Sequence, residues 1–250
     1  MIGPGGLGGL GGPGGLGGLG GPGGPGGLGG PGGPGGASGT DPGPGGFAPG
    51  AIAPRHTDAV GLVLAAGAAT RFGSPKQLAR FRGQALIQWP VLALRAAGLE
   101  WVLAILGHEH ERIAAAVQGA HPVYAPDWRD GLSASLKAGV HAAERLGAER
   151  VVVVLADQPL LTGAAVTRVL AASRGGYPIA RADYGADVQG HPIALSAETF
   201  PAIAELTGDA GARQLAEQFG LVDVPCAGYG SPADADTPEA LERLKADAGA

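Results

Sequence analysis

The chain has 250 residues, 45% of them hydrophobic, and carries 17 Lys and Arg against 22 Asp and Glu, a formal net charge of −5 at pH 7. No basic block offsets that charge, which argues against nucleic acid as the main partner. No apolar run approaches the roughly 20 residues that a membrane span requires. The single cysteine, Cys226, excludes an internal disulfide framework and fits a reducing cytoplasm.

The chain begins with a segment of biased composition. From Pro4 to Pro34 it repeats Gly-Gly-X, where X is always Pro or Leu, and 28 of the 49 glycines fall in the first 50 residues. Such a segment cannot bury enough apolar surface to offset its backbone entropy, so residues 1–54 are predicted to be a disordered Gly/Pro-rich tail. Its imino content is low for a collagen triple helix. It also lacks the basic start and apolar centre of a secretory signal. Residues 55–250 suffice for one well-cored domain.

Within that domain the patterning predicts strands at Val60–Ala65, Trp101–Leu106, Pro122–Tyr124, Val151–Ala156, Tyr177–Ala180, Pro192–Leu195 and Leu221–Val224. Stretches of helical period separate several of them: Ala85–Ala97, Glu109–Gln118, Leu132–Leu146, Thr162–Ser173, Ala210–Phe219 and Pro238–Ala246. Alternating strands and helices predict an α/β fold, a mostly parallel sheet covered on both faces. The run "VVVVLA" is apolar without alternation, as a strand buried on both sides should be. In such sheets ligands bind beyond the carboxyl ends of the strands, which puts the loops after Ala65 and Ala156 on one edge.

The stretch "LAAGAATRFGSPKQL" runs from a strand into a loop without bulky side chains, where a ligand can approach the backbone closely. It is neither a dinucleotide fingerprint nor a Walker A loop. Its backbone N–H groups could form an anion nest, with Arg71 and Lys76 contacting phosphate oxygens; a surface turn with two solvated cations is the plainer reading. Asp157, directly after the buried strand, could hold Mg²⁺ together with substrate phosphates, or act as a turn or cap residue. In "DADTPEAL", Asp234 and Asp236 precede a helix that Asp236 or Thr237 could cap. His108 and His110 lack a third ligand nearby, and Trp89, Trp101 and Trp128 read first as packing residues.

Taken together, "LAAGAATRFGSPKQL", "LADQPLL" and "DADTPEAL" resemble the nucleotidyltransferase superfamily, most of all the branch with the molybdenum-cofactor cytidylyltransferases. "APDWRDGLSASLKAG", "GHPIALS" and "LTGDAGARQL" agree with that branch in the same order. The resemblance implies a Rossmann-like three-layer α/β/α fold of the nucleotide-diphospho-sugar transferase type. It implies an Mg²⁺-dependent cytoplasmic enzyme that transfers a nucleotidyl group to molybdopterin or molybdenum cofactor and releases pyrophosphate. Leu64, Ala65, Ala66 and Gly67 would wrap the triphosphate, and Arg71 and Lys76 would bind its phosphates. Gly131 and Ser133 would sit against base and ribose. Asp157 would hold Mg²⁺, with Asp234 or Asp236 as a second ligand, and His191 with the "GDAGAR" loop would face the acceptor.

"LAAG" rather than "LAGG" leans towards CTP within this family. The sequence departs from the family at Ala156, where Gly is common, at Ala125, where Asn is common, and at Ala240, where a carboxylate is usual. Alternatives on the same fold are transfer to another small phosphorylated acceptor and a non-catalytic module delivering cofactor to a molybdenum hydroxylase. A third is an oxidoreductase of the kind assigned to a relative that reduces a nicotine-derived blue pigment. No recognised flavin or nicotinamide motif supports that last reading.

Overall fold

The computed structural model describes residues 57–186 and 188–247, apart from the side chains of Arg71, Ala212 and Arg213. The Gly-Gly-X tail predicted for residues 1–54 lies outside the described residues.

Strand β1 (Val60–Ala65) is buried along its whole length and lies in the interior of the sheet. A short hairpin, β2 (Arg80–Phe81) and β3 (Gln84–Ala85), precedes α1 (Gln88–Ala96). Then follow β4 (Trp101–Leu106), α2 (His110–Ala116), β5 (His121–Tyr124), α3 (Leu132–Arg145) and β6 (Arg150–Leu155). The second half holds α4 (Gly163–Arg174), β7 (Ile179–Asp183), β8 (Gln189–Ser196), α5 (Phe200–Ala204), α6 (Ala212–Phe219), β9 (Val222–Pro225) and α7 (Pro238–Asp247).

Seven strands form one sheet in the order β5-β4-β1-β6-β8-β7-β9. β5, β4, β1 and β6 run parallel; β8 is antiparallel to both of its neighbours, and β9 is parallel to β7. The sheet is therefore mostly parallel, as the alternating pattern predicts. Successive residues of β1 serve opposite faces: Val63 and Ala65 join α1 and α4 on one side, while Val60, Leu62 and Leu64 join α3 and α5 on the other. Each fully buried Val or Leu contributes roughly 1.5–3 kcal/mol to the favourable side of folding, so the three-layer arrangement follows from covering both faces.

Most boundaries shift by a few residues from the sequence expectation, strand Pro192–Leu195 lengthening to Gln189–Ser196, and two of the shifts have a clear local reason. The helix predicted from Ala85 begins at Gln88, because Ala85 pairs with Arg80 in the hairpin and the Ile87 N–H donates to the Gln77 carbonyl at 3.2 Å. The strand predicted at Tyr177–Ala180 is displaced to Ile179–Asp183. Arg181 and Asp223 disguise its end, since they pair across β7 and β9 at 2.8 Å and 3.0 Å. A third, small cluster lies away from the sheet: Phe81 and Leu86 of the hairpin region pack with Ala235 and with Leu241 and Leu244 of α7. That cluster carries the chain's last segment back to the carboxyl edge of β1 and β6.

Candidate active site

At the end of β1 the chain leaves the sheet as Ala65-Ala66-Gly67, and other parts of the chain pin this loop. The side chain of Gln77 is buried, and its Nε2 donates to the carbonyls of Ala65 and Gly67, each at 2.9 Å. The His108 N–H donates to the Ala66 carbonyl at 3.0 Å. The neighbouring Gly107 tolerates no side chain: an added Cβ would stand 2.5 Å from Cγ of Trp128 and 2.6 Å from the Ala66 oxygen. The loop carbonyls are thus turned towards the protein and satisfied.

Asp157 lies two residues past the end of β6 and is largely buried. The Ala156 N–H continues the β1 register by donating to Leu64 at 3.1 Å. The late acidic segment is tied alongside, where the Ala235 N–H donates to the Asp157 carbonyl at 2.9 Å. Gln158 Nε2 donates to the Pro232 carbonyl at 3.1 Å and to Asp234 Oδ1 at 2.8 Å. Lys76 completes the group: its ammonium pairs with Asp157 and, at 2.8 Å, with Asp236.

The electrostatics follow from these contacts. Burial by itself would lower the Lys76 pKa, but Asp157 and Asp236 outweigh it and hold the ammonium above its ordinary value. Asp234 moves up, first through burial and then through the negative charges of Asp157 and Asp236, against the Gln158 hydrogen bond and Lys76. Burial pushes the His191 imidazole down to about 4, opposed by the Asp157 charge, so the ring is neutral at pH 7.

Two carboxylates that already share one cation are a suitable donor set for a hard divalent ion, which takes one or two carboxylates together with phosphates and water. Among the described residues no group of three or more His, Cys, Asp or Glu side chains could hold a metal ion. A divalent ion held by Asp157 and Asp236 would complete its shell from a bound nucleotide.

A cleft of about 570 Å³ opens here, and it gathers Leu64, Ala65, Ala66, Gly67, Lys76, Gly131 and Asp157 from the predicted site. Asp236 reaches it through Lys76. The backbone of Arg71 lies in the short helical turn Thr70–Phe72, and its side chain falls outside the described residues. Ser133 is placed elsewhere: it lines a different cavity, and its N–H donates to the Gly208 carbonyl at 3.0 Å. Ser135, two residues further along α3, lines the cleft instead. His191 stands outside the cleft lining, and its carbonyl accepts from the Tyr184 hydroxyl at 2.7 Å. From the "GDAGAR" loop Asp209 lines the cleft, and its Oδ1 accepts from the Leu132 N–H at 3.3 Å.

Sequence reasoning missed Gln77 and Ser135, and it named Asp209 only as part of the "GDAGAR" loop; Trp128, read first as packing and second as a ligand contact, walls the cleft with Arg129 stacked 4.5 Å from its ring centre. Gln77 was legible in principle, as a polar residue directly after Lys76 in the motif.

Comparison with known proteins yields a consistent picture. The MobA-like NTP transferase domain matches residues 61–223. Nicotine blue oxidoreductase of Paenarthrobacter nicotinovorans is 33% identical over 195 residues, which cover 74% of this chain and 95% of that protein. Purine catabolism protein PucB of Bacillus subtilis is 28% identical, again over 74% of this chain and 95% of the relative. The structure of Rv0371c from Mycobacterium tuberculosis, solved as a complex with manganese, has a TM-score of 0.65 at 28% identity. That match covers 76% of this chain and 99% of the other.

Proposed function

The chain belongs to the MobA-like NTP transferase domain family and is a nucleotidyltransferase, and from this we propose that it transfers CMP from CTP to molybdopterin or molybdenum cofactor. The observation that carries the reading is the Lys76 ammonium on Asp157 and Asp236, beside a cleft walled by the Ala65–Gly67 backbone.

In this reading the triphosphate lies along the Ala66–Gly67 backbone, which Gln77 holds in place. Lys76, joined by Arg71, moves onto its phosphates. Asp157 and Asp236 hold Mg²⁺, which when bound neutralises charge on the phosphates. An oxygen of the acceptor phosphate attacks the α-phosphorus in line, the bond to the β-phosphate oxygen breaks, and pyrophosphate leaves. Such a reaction asks the protein mainly for positioning and for stabilising the charge that moves to the leaving group. Ser135, Gly131 and Asp209 lie where the nucleoside would sit. Neutral His191 faces the acceptor side without adding a cation. The completed cofactor would pass to a molybdenum hydroxylase in the cytoplasm, and the 1–54 segment would take no part.

The test is a matrix of CTP and GTP against molybdopterin, molybdenum cofactor and other small phosphorylated acceptors, with Mg²⁺, scored by pyrophosphate release. The reading expects release with CTP and a molybdopterin acceptor. Preference for GTP by tenfold, about 1.4 kcal/mol in binding, would reassign the nucleotide. Release with only a different acceptor would reassign the substrate. The relation to nicotine blue oxidoreductase supplies a second reading. Oxidation of a nicotinamide cofactor with pigment reduction, and no pyrophosphate from any pair, would favour it.

A further inference from the structure

A second cavity of about 430 Å³ shares no lining residue with the cleft. Its walls come from the edge strand β5, the loop that follows it, one face of α3 and the segment after α5. The partition between the two spaces is tight: the Ser133 N–H donates to the Gly208 carbonyl at 3.0 Å, and a Cβ on Gly131 would stand 2.5 Å from the same oxygen. Ser133, to which the family resemblance gives a place against base and ribose, lines this second space.

The chemistry of the lining is segregated. Lys137, His141 and Arg145 stand at successive four-residue steps of α3, about 6 Å apart along its axis. Asp127 and Asp130 lie at the other end, before the helix begins. Ala134, Ala138 and Val123 supply apolar wall between them. Among the described residues Lys137 makes no ion pair within 4.0 Å, so neither carboxylate reaches it. Leu136, Val140 and Ala143 commit the opposite face of α3 to the core, and Val123, Ala138 and Ala142 at the cavity floor pack against the same cluster, whereas Asp127, Asp130, His141 and Arg145 at its rim are exposed. A few convergent polar groups on an apolar wall, in a space of this size, are the ordinary make-up of a small-molecule site.

We propose that this cavity is a second ligand site, for a small molecule with a phosphate or carboxylate at one end and N–H or O–H donors at the other. Lys137 and His141 meet the anion, Asp127 and Asp130 accept from the donors, and the body lies on Ala134, Ala138 and Val123. The site is separate from the nucleotidyl-transfer chemistry and does not depend on its assignment.

Three probes test it by amide NMR titration of the full-length protein: 4-aminobenzoate, benzoate and aniline. The expected result is saturable shifts for 4-aminobenzoate at Ser133, Lys137, His141 and Gly208, with tighter binding than either half-probe. Lys137→Ala should weaken 4-aminobenzoate and benzoate by about fivefold, roughly 1 kcal/mol for a lost ion pair. Asp130→Asn should weaken 4-aminobenzoate and leave benzoate unchanged. Lys76→Ala should alter neither. Shifts confined to Ala66, Gly67 and Asp157, 4-aminobenzoate affinity insensitive to both Lys137→Ala and Asp130→Asn, or no saturable shift would each overturn the proposal. Inorganic phosphate in place of benzoate distinguishes a phosphate ligand from a carboxylate one.

Discussion

Lys76 and Asp236 are 160 positions apart in the chain and 2.8 Å apart in the fold, and the same ammonium also pairs with Asp157. The small cluster of Phe81, Leu86, Ala235, Leu241 and Leu244 brings them together by docking α7 on the hairpin region. The ammonium therefore holds the position that a divalent ion would compete for. Lys76→Met is expected to bind Mn²⁺ without nucleotide more tightly than the wild type, by about tenfold or 1.4 kcal/mol, and nucleoside triphosphate more weakly. Electron paramagnetic resonance of free Mn²⁺ reads the first effect. Unchanged or weaker Mn²⁺ affinity would remove these carboxylates as the cation site.

Asp157→Asn keeps the shape of the side chain and its neighbours' backbone bonds but removes the charge. Stabilising charge on phosphoryl oxygens is worth several kcal/mol, so turnover should fall by at least about a hundredfold. Metal-free nucleotide affinity should fall much less. Near-normal turnover in a folded variant would make Asp157 a turn residue only.

Gln77 holds two loop carbonyls, that of buried Ala65 and that of exposed Gly67. Gln77→Leu leaves the buried Ala65 carbonyl without that donor, and the expected loss is about 1–3 kcal/mol of stability by chemical denaturation. The triphosphate KM should rise together with it, because the loop that cradles phosphate loosens. A variant with wild-type stability and KM would show that the loop holds its shape without Gln77.

The His191 pKa of about 4 in the fold compares with an unperturbed 6.5. Below pH 6.5 the unfolded chain takes up a proton that the native protein refuses until about 4. The contribution is therefore full above 6.5 and is lost as pH falls through that window, by up to about 3 kcal/mol. His191→Phe keeps the carbonyl that accepts from Tyr184 and should flatten the slope between pH 6.5 and 4. An unchanged slope would place the acid sensitivity elsewhere.

Asp234 has the opposite sign. Its raised pKa means that the fold favours the protonated acid, so its contribution is full below the unfolded value and lost as pH rises through the folded one. Asp234→Asn still accepts from Gln158 and carries no charge beside Asp157 and Asp236. Its melting temperature at pH 7 should equal or exceed that of the wild type. A clear drop would show that the ionised carboxylate is needed there.

Much of the fold was legible along the chain. The runs at Val60–Ala65 and Trp101–Leu106 have the bounds the pattern predicts, because a strand buried on both faces admits only apolar residues. The hairpin Arg80–Ala85 was not, since two-residue strands carry no periodicity. Motif order also placed the Ala65–Gly67 loop, Lys76 and Asp157 on one edge, because local turn chemistry and strand direction are properties of short segments.

Which serine faces the cleft, which glutamine locks the loop and which carboxylate meets Lys76 depended on the rotation of α3, the burial of one turn and the docking of α7. Ser133 and Ser135 differ by two residues, a rotation of about 200° on a helix, and no local pattern says which of them looks towards the loop. Asp236 reaches Lys76 only because apolar side chains in the hairpin region and α7 exclude water together. The sequence by itself determined the layers, the binding edge and the residue types available for phosphate chemistry, all of which rest on short-range patterning and turn preference. The tertiary structure decided the pairings, because those arise from packing between segments whose separation in sequence says nothing about their distance in space.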